Sequence, residues 1–232
     1  WTDVAVSKKE NVYVKANYAL DAPSVRYRGV FLNDEDWGLK PWATNTFEPE
    51  VGDIGPKTYA KVCELILRLK GNMVAPAMHT CTGPFYSHAD NKVVADEYGI
   101  MSTTSHCEPL LFNNASLQEW DKSVDGEWDY SKNKDAILAK LEARVKEAAQ
   151  YENVYTLAMR GLHDEGMRGN MSEDEKVKIL AAAISDQRNI LKKYIDKPLE
   201  DIPQIFVPYK EALDLYEKGL QVPDEVTLVW VD

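Results

Sequence analysis

The sequence predicts an α/β fold, a (β/α)8 TIM-type barrel that is truncated after its sixth strand. Three observations lead to this prediction: apolar strand-like runs alternate with helical segments, six such runs occur, and each ends in side chains capable of chemistry. Parallel strands joined by helical crossovers bring their carboxyl ends to one face, where barrel enzymes build their sites. The six predicted strands cover residues 25–33, 73–78, 100–105, 154–159, 204–207 and 226–231.

Two segments are expected along the chain. Residues 1–22 contain the alternating runs V-A-V and V-Y-V-K-A-N-Y-A-L, which predict an extended arm or β-hairpin that leads in from a preceding domain. Residues 23–232 are expected to form the partial barrel. The pattern stops at the sixth strand, so we expect a fragment of a longer enzyme in which strands seven and eight lie elsewhere.

The first predicted strand and its turn, V-R-Y-R-G-V-F-L-N-D-E-D-W-G at 25–38, organise the rest of the chain. Its β-branched and aromatic residues predict a strand that is buried on both faces. The apolar run stops at Asn33, and Asp34, Glu35 and Asp36 follow at once. Adjacent carboxylates repel, and burial of any one of them is costly unless it is paired. We therefore interpret this turn as functional; the alternative is a solvated acidic turn that caps the next helix.

Five helices are predicted between the strands, at 55–70, 90–98, 133–150, 171–195 and 212–218. Pro56 lies in the first turn of the first helix, and Ser172 and Glu175 have the spacing of a capping box at the start of the fourth. A loop rich in Trp and Pro precedes the first helix, and its length is typical of a functional loop.

The later strands end as the first one does, in polar side chains. These are His79; His106 with Cys107 and Glu108; Arg160 with His163, Asp164 and Glu165; Tyr209 with Lys210 and Glu211; and Asp232. One face of the predicted barrel therefore collects acids, cations and imidazoles.

Composition narrows the classes of partner and cofactor. A net charge of -11 and a pI near 4.9 argue against nucleic acid, and no apolar stretch approaches the ~20 residues that would span a bilayer. Cys63, Cys81 and Cys107 lack the spacing of a zinc site or a disulfide framework and are expected to be free thiols. The histidines show neither H-E-x-x-H nor H-x-H spacing, so we expect no metal and no other cofactor.

The carboxylates at two strand ends suggest glycoside hydrolysis. Glu211 follows one strand, and Asp164 and Glu165 follow another. Hydrolysis of a glycosidic bond needs two carboxyl groups, because one protonates the leaving oxygen while the other activates water. Arg160 and Lys210 place two cations among these acids, where they either clamp an anionic group of the substrate or offset the neighbouring charges.

Aromatic and imidazole side chains could supply the remaining sugar contacts. Flat faces for sugar rings are offered by Trp37, Tyr86, Trp120, Trp128 and Tyr209, although packing explains any single one of them better. The histidines at the strand ends are expected to hydrogen-bond sugar hydroxyls.

Four long runs resemble the catalytic barrel of glycoside hydrolase family 115. They are R-Y-R-G-V-F-L-N-D-E-D-W-G, I-G-P-K-T-Y-A-K-V-C-E-L-I-L-R-L-K-G-N-M-V-A-P-A-M-H, R-G-L-H-D-E-G-M and V-P-Y-K-E, and the likeness extends from Arg26 onward. The resemblance implies a xylan α-1,2-glucuronidase, which releases glucuronic acid or its 4-O-methyl ether from glucuronoxylan with inversion.

The resemblance also implies roles for individual residues. Glu211 matches the general acid, Asp164 is favoured ahead of Asp34 as the base, and Arg160, His106 and Asp232 match other pocket positions. The remaining expected substrate-binding residues are Asn33, Trp37, His79, Glu165, Tyr209 and Lys210.

The same likeness implies a secreted or periplasmic bacterial enzyme that acts on a polysaccharide, with a homodimer as one expected form of the parent. Two alternatives stay open. One is a glycosidase of another specificity on the same barrel, and the other is a non-catalytic sugar-binding α/β domain.

Overall fold

Six short parallel strands form the frame of the molecule. The computed structural model describes residues 7–15, 17 and 19–231. The strands are β1 (Gly29–Phe31), β2 (Met73–Ala75), β3 (Met101–Ser102), β4 (Tyr155–Thr156), β5 (Gln204–Phe206) and β6 (Thr227–Leu228). They form two parallel three-stranded sheets in sequence order, β1-β2-β3 and β4-β5-β6. One isolated parallel bridge, between Ser102 and Asn153, joins the two sheets.

The predicted strands pair in parallel as expected, but each hydrogen-bonded ladder is shorter than its apolar run. Proline limits two of them. β2 ends directly before Pro76, and β5 lies between Pro203 and Pro208. Proline has no N–H to donate to a ladder, so it ends pairing where it occurs.

The expectation that the first strand is buried on both faces is wrong. Val25 is 59% exposed, and Val30 and Phe31 are each 42% exposed. The chain bends before β1, because the Arg28 guanidinium donates to the carbonyls of Val25, Arg26 and Lys70. β1 itself is an edge strand in the described chain, and Val30 and Phe31 face an open cavity.

Helices separate the strands along the chain. They are α1 (Leu39–Trp42), α2 (Pro56–Arg68), α3 (Ala89–Glu97), α4 (Lys122–Asp125), α5 (Tyr130–Ala148), α6 (Glu173–Tyr194) and α7 (Glu211–Glu217). The predicted capping box is confirmed: Ser172 Oγ accepts from Glu175 N, and the Glu175 side chain accepts from Ser172 N. The short helices α1 and α4 were not predicted, since one turn carries no period that a sequence can display.

A buried glutamate caps the start of α2. Glu48 is 1% exposed, and its carboxylate accepts hydrogen bonds from Lys57 N, Thr58 N and Thr58 Oγ1 at 2.8–3.0 Å. A carboxylate at a helix N-terminus satisfies orphan N–H groups and complements the helix dipole. The Trp- and Pro-rich loop therefore serves partly to bring this cap to α2.

The core lies between the sheets and the long helices. It contains Val74, Leu141, Val145, Leu157, Met159, Leu180, Leu191 and Phe206, each at most 2% exposed. Residues 7–15, 17 and 19–22 form no strand, and the rest of the predicted arm lies outside the described residues. No helix in the described part of the chain has the length and apolar character needed to cross a bilayer.

Candidate active site

The six strands surround a cavity of about 580 Å³. Apolar residues from β1, β2, β5 and the β6 region line its depth, and polar residues lie near the carboxyl ends of the strands. The polar group includes His79, His106, His163, Asp164 and Tyr209. The sequence predicted that the strand ends would meet at one face, and the structure brings the residues that follow β3, β4 and β5 together around one guanidinium.

Arg160 lies at the centre of the charged residues. Its side chain is 3% exposed. Nε and Nη2 donate to the two carboxylate oxygens of Glu211 at 2.6 and 2.7 Å, and Nη1 donates to Asp164 Oδ1 at 2.6 Å. Every guanidinium nitrogen therefore donates to a catalytic candidate. Arg160 holds Glu211 and Asp164 on neighbouring edges of one planar group.

Asp164 is saturated with donors. Besides Arg160, His106 Nε2 lies 2.7 Å from Oδ1, and Lys210 Nζ donates to Oδ2. Burial acts to raise the pKa of Asp164, but the hydrogen bonds from Lys210, Arg160 and His106 outweigh it and hold the pKa well below its usual range. Burial is also the main reason why the pKa of His106 is lowered, so the imidazole is neutral at pH 7.

Glu211 is the first residue of α7. Burial acts to raise its pKa, yet the bidentate contact and the charge of Arg160 lower it overall, so the carboxyl is ionised in this structure. Lys210, the residue before it, has a backbone φ of 50° and ψ of -132°, a conformation that side chains rarely adopt. Its ammonium is exposed, and the hydrogen bond to Asp164 is the main reason why its pKa is raised.

The acidic turn after β1 divides into exposed and buried carboxylates. Asp34 and Asp36 are exposed, whereas the side chain of Glu35 is 0% exposed. Asp34 has a left-handed φ of 53°, and its side chain does not cap the short helix Glu35–Trp37 that follows. The interpretation of the turn as a solvated helix cap is therefore wrong for Glu35. Asn33 lines the cavity, and Trp37 is 82% exposed.

Glu35 reaches the loop after β2. Its Oε1 accepts from His79 N and from Thr82 Oγ1, both at 2.8 Å. Its Oε2 lies 3.1 Å from His79 Nδ1 but accepts no well-aligned hydrogen bond from the described residues. The next imidazole, that of His163, has its centre 5.6 Å from that of His79. Burial lowers the pKa of His163, whose Nε2 is buried and without a partner in the described chain.

The other predicted site residues occupy different surroundings. The Tyr209 ring packs edge-on against His106 with centroids 4.7 Å apart. Glu165 is exposed and pairs with Arg168, and both line a side pocket of about 400 Å³ that also contains His163 and Asp164. Asp232 lies outside the described residues.

Three of the proposed aromatic platforms are core residues instead. Tyr86, Trp120 and Trp128 are 7%, 2% and 4% exposed. Trp120 and Trp128 pack edge to face, and Phe112 stacks on Trp128. Their size and apolar area explain their burial. Of the predicted set, Tyr209 lines the cavity, and Trp37 is exposed outside its lining.

One group of side chains has the spacing of metal ligands. Asp34, Asp36 and His79 each offer one atom, and these atoms lie within 4.8 Å of one another. Two of the three are exposed carboxylates, which commonly cluster without an ion. The absence of a metal stays a prediction.

Sequence reasoning named two acids at the strand ends without predicting that they are buried. One is Glu35, and the other is Glu108, whose Oε2 accepts from Ser105 Oγ at 3.0 Å and from Ser105 N at 3.3 Å. Burial raises the pKa of Glu108 to about 8. Their burial could not be predicted, because a charged residue after a strand looks the same in the sequence whether it turns inward or outward.

Comparison with known proteins adds a family to this geometry. Residues 20–232 match the sequence model of Glycosyl hydrolase family 115. Among solved structures the chain is similar to BtGH115A, a family GH115 4-O-methyl-α-glucuronidase with specificity for decorated arabinogalactans, at 47% identity and a TM-score of 0.83. The match covers 89% of this chain and 27% of that one, so the chain spans about a quarter of that enzyme's length. No curated protein matches.

Proposed function

The chain belongs to glycosyl hydrolase family 115, and on that basis we propose that it carries the site of an inverting α-glucuronidase. The enzyme would cleave the α-1,2 bond that links glucuronic acid or its 4-O-methyl ether to xylan. The observation that carries this proposal is the convergence of Glu211, Asp164 and Lys210 on and around Arg160. Asp164 lines the cavity between the strands, and Arg160 links Glu211 to it. Two carboxylates supply the acid and the base, and the cations suit an anionic sugar.

Glu211 acts as the general acid in this proposal. A general acid must carry a proton when the substrate is bound, whereas Arg160 keeps Glu211 ionised in the free site. The uronate brings its own negative charge to the site and expels water from it. Both changes favour the neutral form of a nearby carboxyl group and raise its pKa. The substrate itself therefore prepares Glu211 to protonate the leaving oxygen.

Asp164 and Asp34 are the two candidates for the base. We retain Asp164 as the first candidate on family resemblance, although its donors reduce its basicity. Asp34 is favoured by a different observation: it is exposed at the cavity end of β1 and is held in a left-handed conformation. Such strain is found preferentially at functional sites.

Lys210 is the proposed partner of the uronate carboxylate. Its ammonium is exposed and donates to Asp164, so it can turn towards a substrate, while each nitrogen of Arg160 is already engaged. Arg160 then contributes by fixing the two carboxylates. His79, His106, Tyr209 and Asn33 line the cavity, where they can contact the sugar hydroxyls and ring, and Glu165 lies further out in the side pocket. Trp37 is proposed as a sugar contact only from the sequence, since it is exposed and does not line the cavity.

A closed (β/α)8 barrel is the proposed frame of the site. β1 and β6 are the edge strands of the described chain, and both line the same cavity. Val30 and Phe31 on one side and Val229 and Val231 on the other are 38–53% exposed. Further strands between these edges would bury them and complete the barrel. We also propose that the full-length protein is secreted or periplasmic, where it would meet a polysaccharide.

The test is the release of uronic acid by the full-length protein. It is incubated with glucuronoxylan, and free glucuronic or 4-O-methylglucuronic acid is measured by anion-exchange chromatography. We expect release that Glu211→Gln abolishes and that dialysis against a chelator leaves unchanged. Binding of glucuronoxylan without any release would favour the non-catalytic alternative.

A second polysaccharide is favoured by the solved relative. That enzyme is specific for decorated arabinogalactans, and the residues around Arg160 recognise the uronate rather than the main chain. A parallel incubation with uronate-bearing arabinogalactan decides between the two substrates. The site would hold the uronate of either polysaccharide, but it would release uronic acid only where the polysaccharide main chain fits the surface around the site.

A further inference from the structure

The Glu35 carboxylate is buried directly beneath a predicted sugar-binding histidine. Its side chain has no exposed area, and it joins the turn after β1 to the loop after β2. Oε1 alone makes both of the hydrogen bonds that tie the loops together. Oε2 takes no part in that tie, and the nearest ring nitrogen, His79 Nδ1, lies 3.1 Å away.

A buried carboxylate oxygen without a donor is costly, and His79 Nδ1 is placed to remove that cost. A neutral imidazole carries its proton on one nitrogen, and the other nitrogen is an acceptor. A neighbouring carboxylate favours the proton on the nitrogen that faces it, as in metal sites and catalytic triads. A small rotation of the His79 ring would align the hydrogen bond.

We propose that Glu35 is a positioning residue that holds the proton of His79 on Nδ1, so that Nε2 accepts a hydrogen bond from a sugar hydroxyl. The proposal rests on the proposed function, since it takes His79 as a residue that contacts the substrate. It adds a role for a carboxylate that lies behind the site and touches no substrate. The acidic turn thereby contributes a buried member as well as its exposed ones.

Glu35→Gln is the sharpest test, because it keeps the shape of the side chain and replaces one hydrogen-bond acceptor, Oε2, with a donor. The amide oxygen can still accept from His79 N and Thr82 Oγ1, while the amide NH2 takes the place of Oε2. That group donates, so it favours a bare Nδ1 and moves the proton to Nε2. We expect the ¹⁵N shifts of His79, assigned through His79→Asn in the ¹⁵N-histidine-labelled full-length protein, to change from the Nδ1–H tautomer to the Nε2–H tautomer.

The change of tautomer should also appear in the kinetics. We expect kcat/KM for the uronoside to fall several-fold, up to about ten-fold, in Glu35→Gln, the size of effect that loss of one hydrogen bond between neutral groups produces. In a His79→Ala background, adding Glu35→Gln should leave kcat/KM almost unchanged, because the two residues act as one unit.

Glu48→Gln is the matched control. Glu48 is also a buried acid that accepts backbone and threonine donors, but it caps α2, and its carboxylate has no histidine as a hydrogen-bond partner among the described residues. This variant should melt at a lower temperature while the His79 tautomer and kcat/KM stay as in the wild type. A Glu35→Gln protein that keeps the Nδ1–H tautomer, or that changes tautomer with kcat/KM unchanged, would overturn the proposal. The tautomer is read without substrate, so a wild type that releases no uronic acid would count against the proposed function and not against the Glu35–His79 pairing.

Discussion

Arg160 organises the charged residues of the site through its hydrogen bonds to two carboxylates. It presents a rigid planar fork to two carboxylates, with Glu211 along one edge and Asp164 at another nitrogen. A lysine could hold either acid but could not set the angle between them. The guanidinium thus fixes the relation between the two carboxyl groups that are proposed as acid and base.

The two cations of the site are expected to respond differently to the charge of the substrate. We expect Lys210→Met to lower kcat/KM about ten-fold or more for an aryl glucuronoside and far less for its uronamide, because only the acid offers a carboxylate to Lys210. Arg160→Lys should lower both by similar factors, since it releases Glu211 and Asp164 whichever substrate is used. Steady-state kinetics on the two substrates measures this.

Circular dichroism of both variants controls for folding. An equal loss on the acid and the amide in Lys210→Met would show that Lys210 does not bind the carboxylate. If instead Arg160→Lys loses activity on the acid alone, Arg160 would be the clamp.

Glu108 predicts a dependence of stability on pH. Burial raises its pKa from 4.5 to about 8. Between these values the folded protein holds a proton that the unfolded chain releases, so the free energy of unfolding falls as pH rises, by at most about 1.4 kcal/mol per pH unit. Above the folded pKa this contribution is lost and the slope from Glu108 ends.

Denaturant unfolding of the wild type and of Glu108→Gln across this range isolates the effect, because all other titrating groups are shared. We expect the variant to lack the decline, so that the difference in stability between the two proteins changes with pH up to about 8 and then levels off. Parallel pH profiles for the two proteins would mean that Glu108 is not protonated in the folded state.

At the level of single residues, the sequence predicted the positions of the site residues more accurately than it predicted their contacts. Asp164, Arg160, Lys210 and Glu211 follow strands, so the barrel pattern was enough to group them. Their pairing was beyond the sequence, because whether Arg160 meets a substrate or Glu211 depends on angstrom-scale placement. The burial of Glu35 and Glu108 could not be predicted for the same reason.

The loop after β4 is the element that brings the two carboxylates together. It turns tightly, with Gly161 N donating to Glu165 O and Glu165 N donating to Leu162 O. Asn114 holds it from outside, accepting from His163 N and donating to Gly161 O. Backbone approach inside the turn is so close that a Cβ on Gly161 would lie 2.4 Å from Gly166 O. Glycine is required there because the neighbouring atom is backbone and cannot yield.

Gly166 provides a test of this loop. A Cβ at this position would lie 3.3 Å from Glu211 Cδ, and the backbone of Gly166 is not left-handed. We expect Gly166→Ala to displace the Glu211 carboxyl by a few tenths of an ångström and to lower kcat about ten-fold, with KM and the melting temperature little changed.

Gly161→Ala is the matched comparison. Its Cβ would clash with backbone atoms, so this change should lower the melting temperature instead. Full activity in Gly166→Ala would mean that the position of Glu211 is less constrained than its contacts indicate.

Helices were predicted more accurately than strands because their signals are local. Pro56 and the capping box of Ser172 and Glu175 mark helix starts to within a residue or two. The ends of a strand depend on a partner strand that is far away in sequence. The apolar runs therefore overestimated the length of the hydrogen-bonded segments. The cap of α2 was also missed, because Glu48 lies well before the helix and outside any capping motif.

At the scale of the whole molecule, a protein of net charge -11 would bind an anionic sugar. Long-range attraction cannot supply this binding, since the overall field opposes it. The affinity must come from the few cations that line the site, at distances too short to be screened. The alternation of strands and helices predicted the parallel order of the sheets. It did not predict that Val30 and Phe31 would remain open to the cavity, because that depends on what lies between β1 and β6.

The central claim is that Glu211 and a second carboxylate hydrolyse an α-linked uronoside by direct displacement with water. Proton NMR of the first product formed by the full-length protein tests it most directly. A single displacement inverts the anomeric centre, so β-glucuronic acid should appear first and the α-anomer should grow in later through mutarotation. If the α-anomer appears first, the reaction retains configuration, and the roles assigned here to Glu211 and its partner are contradicted.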